Sequence, residues 1–167
     1  YISNYVMMEM GQPTHIFDFD KIGSDRIQIR KSTKGESITT LDETKRELRG
    51  RELLITNGQR PIAVAGIMGG LNSAVTTETK TVVIESAYFD PPTIRKGAKA
   101  LNMSSDASKR FERGTDINAT ESAFWMIIKI HEKYAKGKWV PGIIDEYPQK
   151  YKLHKINVNR LKINSVA

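Results

Sequence analysis

The chain changes from a strand pattern to a helix pattern within one stretch, residues 81–101, which read TVVIESAYFDPPTIRKGAKAL. The β-branched residues at 82–84 favour a strand that is at least partly buried. Asp90 followed by Pro91 is typical of a helix N-cap with proline in the first turn. The stretch therefore predicts a domain that uses both strands and helices.

Upstream of this stretch the sequence predicts strands. Four runs are alternating or continuously apolar, at residues 26–31, 36–41, 52–56 and 61–65. Asn57-Gly58 lies between the last two runs, and this dipeptide favours a tight hairpin turn.

Downstream of it the sequence predicts two more helices and then two strands. Ser105 or Asp106 is expected to cap a short helix, and apolar residues three or four apart predict a long helix over about 116–136. Residues 139–144 and 152–158 have strand-like composition. The predicted fold class is α+β, a single domain of mixed β-sheets with several helices.

Length and composition exclude several classes of protein. With 167 residues the chain is long enough for one domain with a core and too short for two ordinary ones. It has no cysteine, which excludes disulfides, thiolate metal sites and cysteine nucleophiles. No apolar run approaches the roughly 18 residues that span a bilayer, and no signal-peptide pattern is present, so neither a membrane anchor nor secretion is expected. Both ends read as if cut from a longer protein.

The charge of the chain points to two kinds of protein. Lys and Arg total 26 against 19 Asp and Glu, which gives a net charge of +7. This balance favours a polyanionic partner, nucleic acid first, and fits a merely basic soluble domain equally well. The basic residues recur along the chain between acidic ones, which predicts a broad weak field rather than one phosphate track.

Two glycine-containing segments carry candidate site residues. His15 follows a Gly-Gln-Pro turn, where it either carries protons and hydrogen bonds or is held structurally by Asp18 or Asp20, the reading that spacing favours. Residues 63–70, AVAGIMGG, either let a ligand approach the backbone or form a plain tight turn. They are neither a dinucleotide-binding fingerprint nor a P-loop, because the required order of glycines and the following lysine are absent.

Two further segments contain polar residues in unusual places. Glu85 lies within an apolar strand pattern, so we expect it either to pair with an arginine or to point into a cleft. Residues 104–114 put small residues at a helix start, which would suit an anion or a carbonyl group. The alternative is that the charged residues at 109–113 simply form a solvated helix face.

Taken in this order, the segments resemble one family closely, the tRNA-editing domain of the bacterial-type phenylalanyl-tRNA synthetase beta subunit. The resemblance covers residues 1–146, and residues 147–167 resemble the start of the next module. The stretches that carry it are 4–18, 62–70, 85–91 and 105–116.

The resemblance implies an enzyme that corrects errors. The family's alpha subunit activates phenylalanine with ATP and Mg²⁺ and charges tRNA(Phe), and the beta subunit hydrolyses the ester of mischarged tyrosyl-tRNA(Phe). A second site is needed because an apolar pocket rejects an added hydroxyl by only about a hundredfold. The resemblance further implies a cytoplasmic alpha2-beta2 ligase used in protein biosynthesis, with no cofactor in this domain and no membrane partner.

It also implies roles for five residues. Glu85 would accept a hydrogen bond from the tyrosine phenol beside the backbone of Gly69, and Ser105 and Ala107 would line the same pocket. The family often has threonine where this chain has Ser105. His15 would act as the catalytic residue near the ester, orienting water or the terminal ribose.

The residues themselves favour hydrolysis without a covalent intermediate or a metal. The chain has no cysteine and no serine in a nucleophile elbow, and its three histidines are scattered without zinc spacing. The alternative is a non-catalytic tRNA- or RNA-binding module, as in a tRNA-modifying enzyme that shares the fold. Such a module has no need to place a carboxylate beside a glycine-lined slot.

Overall fold

The computed structural model describes residues 2–152, 154–159 and 164–165. Helices and antiparallel sheets within this part of the chain confirm the α+β class. None of the helices described there has the length and apolar character that crossing a membrane requires. The helices are α1 (Ile2–Met10), α2 (Phe19–Ile22), α3 (Pro91–Ala100), α4 (Asp106–Phe111) and α5 (Ala119–Ala135), with a 3-10 turn at Leu71–Ser73. The strands are β1 (Thr14–Asp18), β2 (Gln28–Lys31), β3 (Lys34–Thr39), β4 (Lys45–Arg49), β5 (Leu53–Thr56), β6 (Pro61–Val64), β7 (Met68–Gly69) and β8 (Val82–Ser86).

A two-stranded antiparallel ribbon of β1 and β8 lies between two hydrophobic clusters. Phe17 and Val83 pack into the larger cluster, which β5, β6 and α3 share. Ile16 and Ile84 pack on the other side, against α1 and α5. Because side chains alternate between the faces of a strand, the odd-numbered residues of both strands face the larger cluster.

Residues 28–56 form one long bent hairpin, in which β2 pairs with β5 and β3 pairs with β4. Glu52 holds the bend between the two halves and is fully buried. Its Oε2 accepts hydrogen bonds from Ser32 Oγ at 2.6 Å and from the backbone N–H groups of Arg49 and Arg51 at 3.0 and 3.1 Å.

The far end of this hairpin reaches the glycine-rich turn between β6 and β7. Thr40 forms an isolated bridge with Gly70, and the Leu41 N–H donates to Gly69 O at 3.0 Å. The hairpin expected at Asn57-Gly58 is confirmed, because β5 and β6 pair on either side of it.

Two of the helix starts that the sequence predicts are also confirmed, whereas the long helix predicted from about residue 116 begins at Ala119. Asp90 accepts a hydrogen bond from the Thr93 N–H at 3.0 Å and caps α3. Ser105, rather than Asp106, caps α4 and accepts from the Ser108 N–H at 3.0 Å. Each cap satisfies a backbone donor that the first turn leaves free.

The strands predicted over 139–144 and 152–158 are wrong for the residues described there, which form no strand. Both segments have apolar side chains, yet no described strand pairs with them. Ile144 and Ile156 are 94% and 80% exposed. A strand requires a neighbouring ladder, and composition alone does not provide one.

Candidate functional site

The β1–β8 ladder brings two of the predicted site residues together. His15 and Glu85 are directly opposite each other in the antiparallel register, so their side chains share one face of the ribbon. This is the face toward the larger hydrophobic cluster. The two positions are far apart in the sequence, and the ladder makes them neighbours.

Gly69 lies against the ring of His15. A Cβ at position 69 would lie 2.6 Å from His15 Nε2, still closer to His15 Cε1, and 3.1 Å from Leu41 Cδ1. Only glycine permits this approach, since real Cβ contacts are longer. The imidazole lies against the backbone of Gly69, and Glu85 is opposite His15 in the ladder, so the three residues form one candidate site.

His15 is held by apolar surroundings rather than by an acid. Its ring packs edge-on against Phe17 with centroids 4.5 Å apart, and its buried Nε2 has no hydrogen-bond partner among the described residues. Burial lowers the pKa of His15 from 6.5 to about 4, so the imidazole is neutral at physiological pH.

The structural role that spacing favoured for His15 is wrong as far as Asp18 is concerned. The Asp18 carboxylate accepts hydrogen bonds from Lys21 N–H at 3.2 Å and Thr79 Oγ1 at 2.6 Å. It forms the N-cap of α2. Asp20 also makes no hydrogen bond with His15 in the part of the chain that the structure describes.

Glu85 carries a half-buried carboxyl group without a protein partner. It makes no hydrogen bond and no ion pair with any described residue, so the expected arginine partner is absent from this part of the chain. Burial raises the pKa of Glu85 from 4.5 to about 7. The group is therefore divided between its acid and carboxylate forms near neutral pH, and it can donate or accept a hydrogen bond.

The segment 63–70 is both a tight turn and a wall of the site. Gly66 has φ +66°, and a Cβ there would lie 2.9 Å from Ile94 Cδ1 and from Phe89 Cδ2. Glycine at 66 is thus required by the turn and by the packed core beneath it. Gly69, three residues later, is required by the approach of His15.

Ser105 and Ala107 lie next to this turn. The Ser105 hydroxyl donates to Ile67 O at 2.7 Å while it caps α4, so its proton is already used. Ala107 is half-buried and packs against the larger cluster. The structure thus brings Ser105 to the base of the 63–70 turn, and it records no contact of either residue with His15 or Glu85.

Two residues that sequence reasoning missed support the site. Gln12 is 1% exposed, and its Nε2 donates to Ala87 O at 2.8 Å, which ties the start of β1 to the end of β8. Leu41 covers Gly69 from the hairpin tip. The position of Gln12 in a Gly-Gln-Pro turn was a feature of the sequence that could have pointed to it. No feature of the sequence pointed to Leu41.

The described residues contain no group of three or more His, Asp or Glu side chains arranged to hold a metal ion. Away from the site, His131 Nδ1 contacts Ile127 O at 3.0 Å within α5. His154 packs edge-on against Tyr151.

Comparison with known proteins relates the chain to one domain family and to one kind of subunit. The family model of the B3/4 domain matches residues 2–136. Phenylalanine–tRNA ligase beta subunits from Bacillus cereus and Thermotoga maritima are 43% and 42% identical over 99% and 98% of this chain. The beta subunit from Salinibacter ruber is 47% identical over 88% of it. The chain spans about a fifth of the length of these curated relatives, between 18% and 21%.

Proposed function

The chain belongs to the B3/4 domain family, and from its likeness to phenylalanine–tRNA ligase beta subunits we propose that it hydrolyses the ester of mischarged tyrosyl-tRNA(Phe). The reaction separates tyrosine from tRNA(Phe) by adding water to the ester carbonyl. It would keep phenylalanine charging accurate by removing a product that differs from the correct one by a single hydroxyl.

The observation that carries the proposal is the unpartnered carboxyl group of Glu85. The group is half-buried and has no partner among the described residues, and a phenol hydroxyl entering the site would complete its burial and give it a hydrogen bond. A phenylalanyl group has no such hydroxyl and would leave Glu85 unpaired. The site therefore favours tyrosine, because binding phenylalanine would leave the Glu85 carboxyl group without a hydrogen bond.

His15 is suited to a positioning role beside the ester. Its ring is neutral and lies on Gly69. Its Nε2 is buried without a partner among the described residues, so a turn of the ring would let this atom hold a water molecule or a ribose hydroxyl by one hydrogen bond. The aminoacyl ester is already labile, so fixing a water near its carbonyl supplies much of the required acceleration. Ser105 and Ala107 complete the proposed pocket on the side of α4.

The proposal extends to the longer protein of which the relatives are examples. There the domain would belong to a cytoplasmic ligase that uses ATP and Mg²⁺, pairs the beta subunit with an alpha subunit in an alpha2-beta2 assembly, and binds tRNA(Phe). Residues 1–146 would form the editing domain and 147–167 the start of the following module. As the resemblance implies, ATP and Mg²⁺ would act in the rest of that assembly.

Deacylation of tyrosyl-tRNA(Phe) by the full beta-containing enzyme tests the proposal. Glu85→Ala should lower kcat/KM for this ester by about tenfold to a hundredfold, the equivalent of one hydrogen bond to a charged group at roughly 1.5–3 kcal/mol. Glu47→Ala is the matched control, because Glu47 is an exposed carboxylate on β4 with no partner in the described residues. Phenylalanyl-tRNA(Phe) is the control substrate.

The outcomes separate the editing enzyme from the alternative binding module. If the wild-type enzyme clears the tyrosyl ester and Glu85→Ala alone loses that selectivity, editing stands. Equal rates of tyrosyl-tRNA deacylation by the Glu85 and Glu47 variants would show that Glu85 does not recognise tyrosine. A wild-type enzyme that leaves the tyrosyl ester intact would favour a non-catalytic tRNA-binding module.

A further inference from the structure

Four basic residues come together at the bend of the 28–56 hairpin. Lys34 and Arg49 are directly opposite in the β3–β4 register, and Lys31 and Arg51 flank them along the chain. The Ser32 N–H donates to Glu52 O at 2.8 Å, which joins the two chain segments next to Lys31 and Arg51. We call these four residues (Lys31, Lys34, Arg49, Arg51) the basic bend.

The basic bend is not neutralised within the described part of the chain. All four side chains are exposed, and the ion pairs recorded there involve other cations, Lys21, Arg30 and Arg46. Like charges directly opposite in a ladder destabilise a sheet. Such an arrangement therefore indicates an anionic partner outside the chain.

Among the described residues, the acids nearest to the basic bend form no ion pair with its four cations. Glu36 is paired with Arg30 through two hydrogen bonds, of 3.0 and 2.6 Å. Glu52 is buried and its Oε2 is bonded to backbone N–H groups and to Ser32. Glu47, two residues along β4 from Arg49, is the remaining exposed acid on that strand.

The hairpin links the basic bend to the candidate site. Its tip contacts Gly69 through the Leu41 N–H, and Leu41 is seven residues from Lys34. At about 3.3 Å per strand residue this is a distance of at most roughly 23 Å, the length of about seven nucleotides of a stacked strand at about 3.4 Å each.

We propose that the basic bend binds the phosphodiester backbone of an RNA strand whose 3′-terminal ester occupies the His15–Glu85 site. The identity of that RNA as tRNA(Phe) rests on the proposed function. Glu52 contributes from inside, since its hydrogen bonds fix the backbone that carries Arg49 and Arg51. Phosphate contacts of this kind position a strand and carry no sequence information.

Salt-dependent binding of tRNA(Phe) to the full enzyme tests this inference. The variant Lys34→Ala/Arg49→Ala is compared with Lys96→Ala/Lys99→Ala, which removes the same charge from two exposed positions of α3. If two phosphate contacts are lost, the slope of log K against log salt falls by about two. Between 50 and 200 mM salt the wild-type enzyme should then lose about tenfold more affinity than the basic-bend variant.

The salt dependence of tRNA affinity tests the basic bend, and hydrolysis of the tyrosyl ester tests the proposed function. A basic-bend variant with the slope of the wild type and of the α3 control would overturn the inference, whether or not the tyrosyl ester is hydrolysed. A weakened association with the alpha subunit at unchanged tRNA affinity would also overturn it, in favour of an acidic protein surface. A lower slope in a protein that does not hydrolyse the ester would uphold the inference while the editing function fails.

Discussion

Replacing Glu85 with glutamine is expected to stabilise the domain at neutral pH and to leave it unchanged in acid. Burial raises the pKa of Glu85 from 4.5 to about 7, so the folded chain keeps a proton that the unfolded chain releases. Stability from this group is present below pH 4.5 and is lost as pH rises through about 7. At about 1.4 kcal/mol per pKa unit, the ionised carboxylate lowers the free energy of unfolding by at most about 3 kcal/mol.

His15 has the opposite effect over nearly the same pH range. Burial lowers its pKa from 6.5 to about 4, so the unfolded chain binds a proton that the folded chain excludes. The free energy of unfolding therefore rises between pH 4 and 6.5, again by at most about 3 kcal/mol. In the wild-type chain the contributions of His15 and Glu85 nearly cancel, and in Glu85→Gln the contribution of His15 is no longer offset.

Urea denaturation at a series of pH values from 4 to 8.5, followed by tryptophan fluorescence, measures both effects. The free energy of unfolding of Glu85→Gln should match that of the wild type at pH 4 and exceed it by up to about 3 kcal/mol above pH 7. Glu47→Gln is the control and should follow the wild type throughout, because Glu47 is exposed. Parallel curves for wild type and Glu85→Gln would refute the claim that the Glu85 carboxyl is desolvated and unpaired.

Two further substitutions test the site and the bend. Gly69→Ala should lower tyrosyl-tRNA deacylation at least tenfold, because the new Cβ would lie 2.6 Å from His15 Nε2 and displace the ring; Gly137→Ala, whose nearest contact is 3.6 Å, is the control. Equal activity of the two variants would contradict the assigned geometry. Glu52→Ala removes three hydrogen bonds to Oε2 and should lower the free energy of unfolding by about 3 kcal/mol; a change below about 1 kcal/mol in urea denaturation would show that Glu52 does not hold the bend.

The parts of the fold that sequence predicts well are those fixed by short-range interactions. Asp90 and Ser105 bond to backbone groups three residues away, and Asn57-Gly58 defines its own turn. β4 was missed because Lys45–Arg49 is a charged, mostly exposed strand whose only buried side chain is Leu48. Its membership in a sheet depends on β3 and not on its own composition.

The candidate site is the least local feature of the chain. Resemblance supplied His15, Gly69 and Glu85 as individual residues, but no spacing rule places them together. The β1–β8 register puts His15 opposite Glu85, and the turn between β6 and β7 brings Gly69 to the His15 ring. The basic bend is similar: an even distribution of charge along the sequence becomes a cluster only when the hairpin folds. Charge counts alone therefore cannot locate a binding face.

The way in which Glu85 is held explains how a carboxyl group can remain available in a half-buried site. Its neighbours fix the strand instead: Ser86 Oγ donates to Thr120 O of α5 at 2.6 Å, and Ala87 O accepts from Gln12 at 2.8 Å. Ile84 packs against the helices on the far face of the ribbon. Because backbone and neighbours position the strand, both oxygens of Glu85 stay free for a ligand, and the cost of partly burying its carboxyl group is offset by the two hydrophobic clusters on either side.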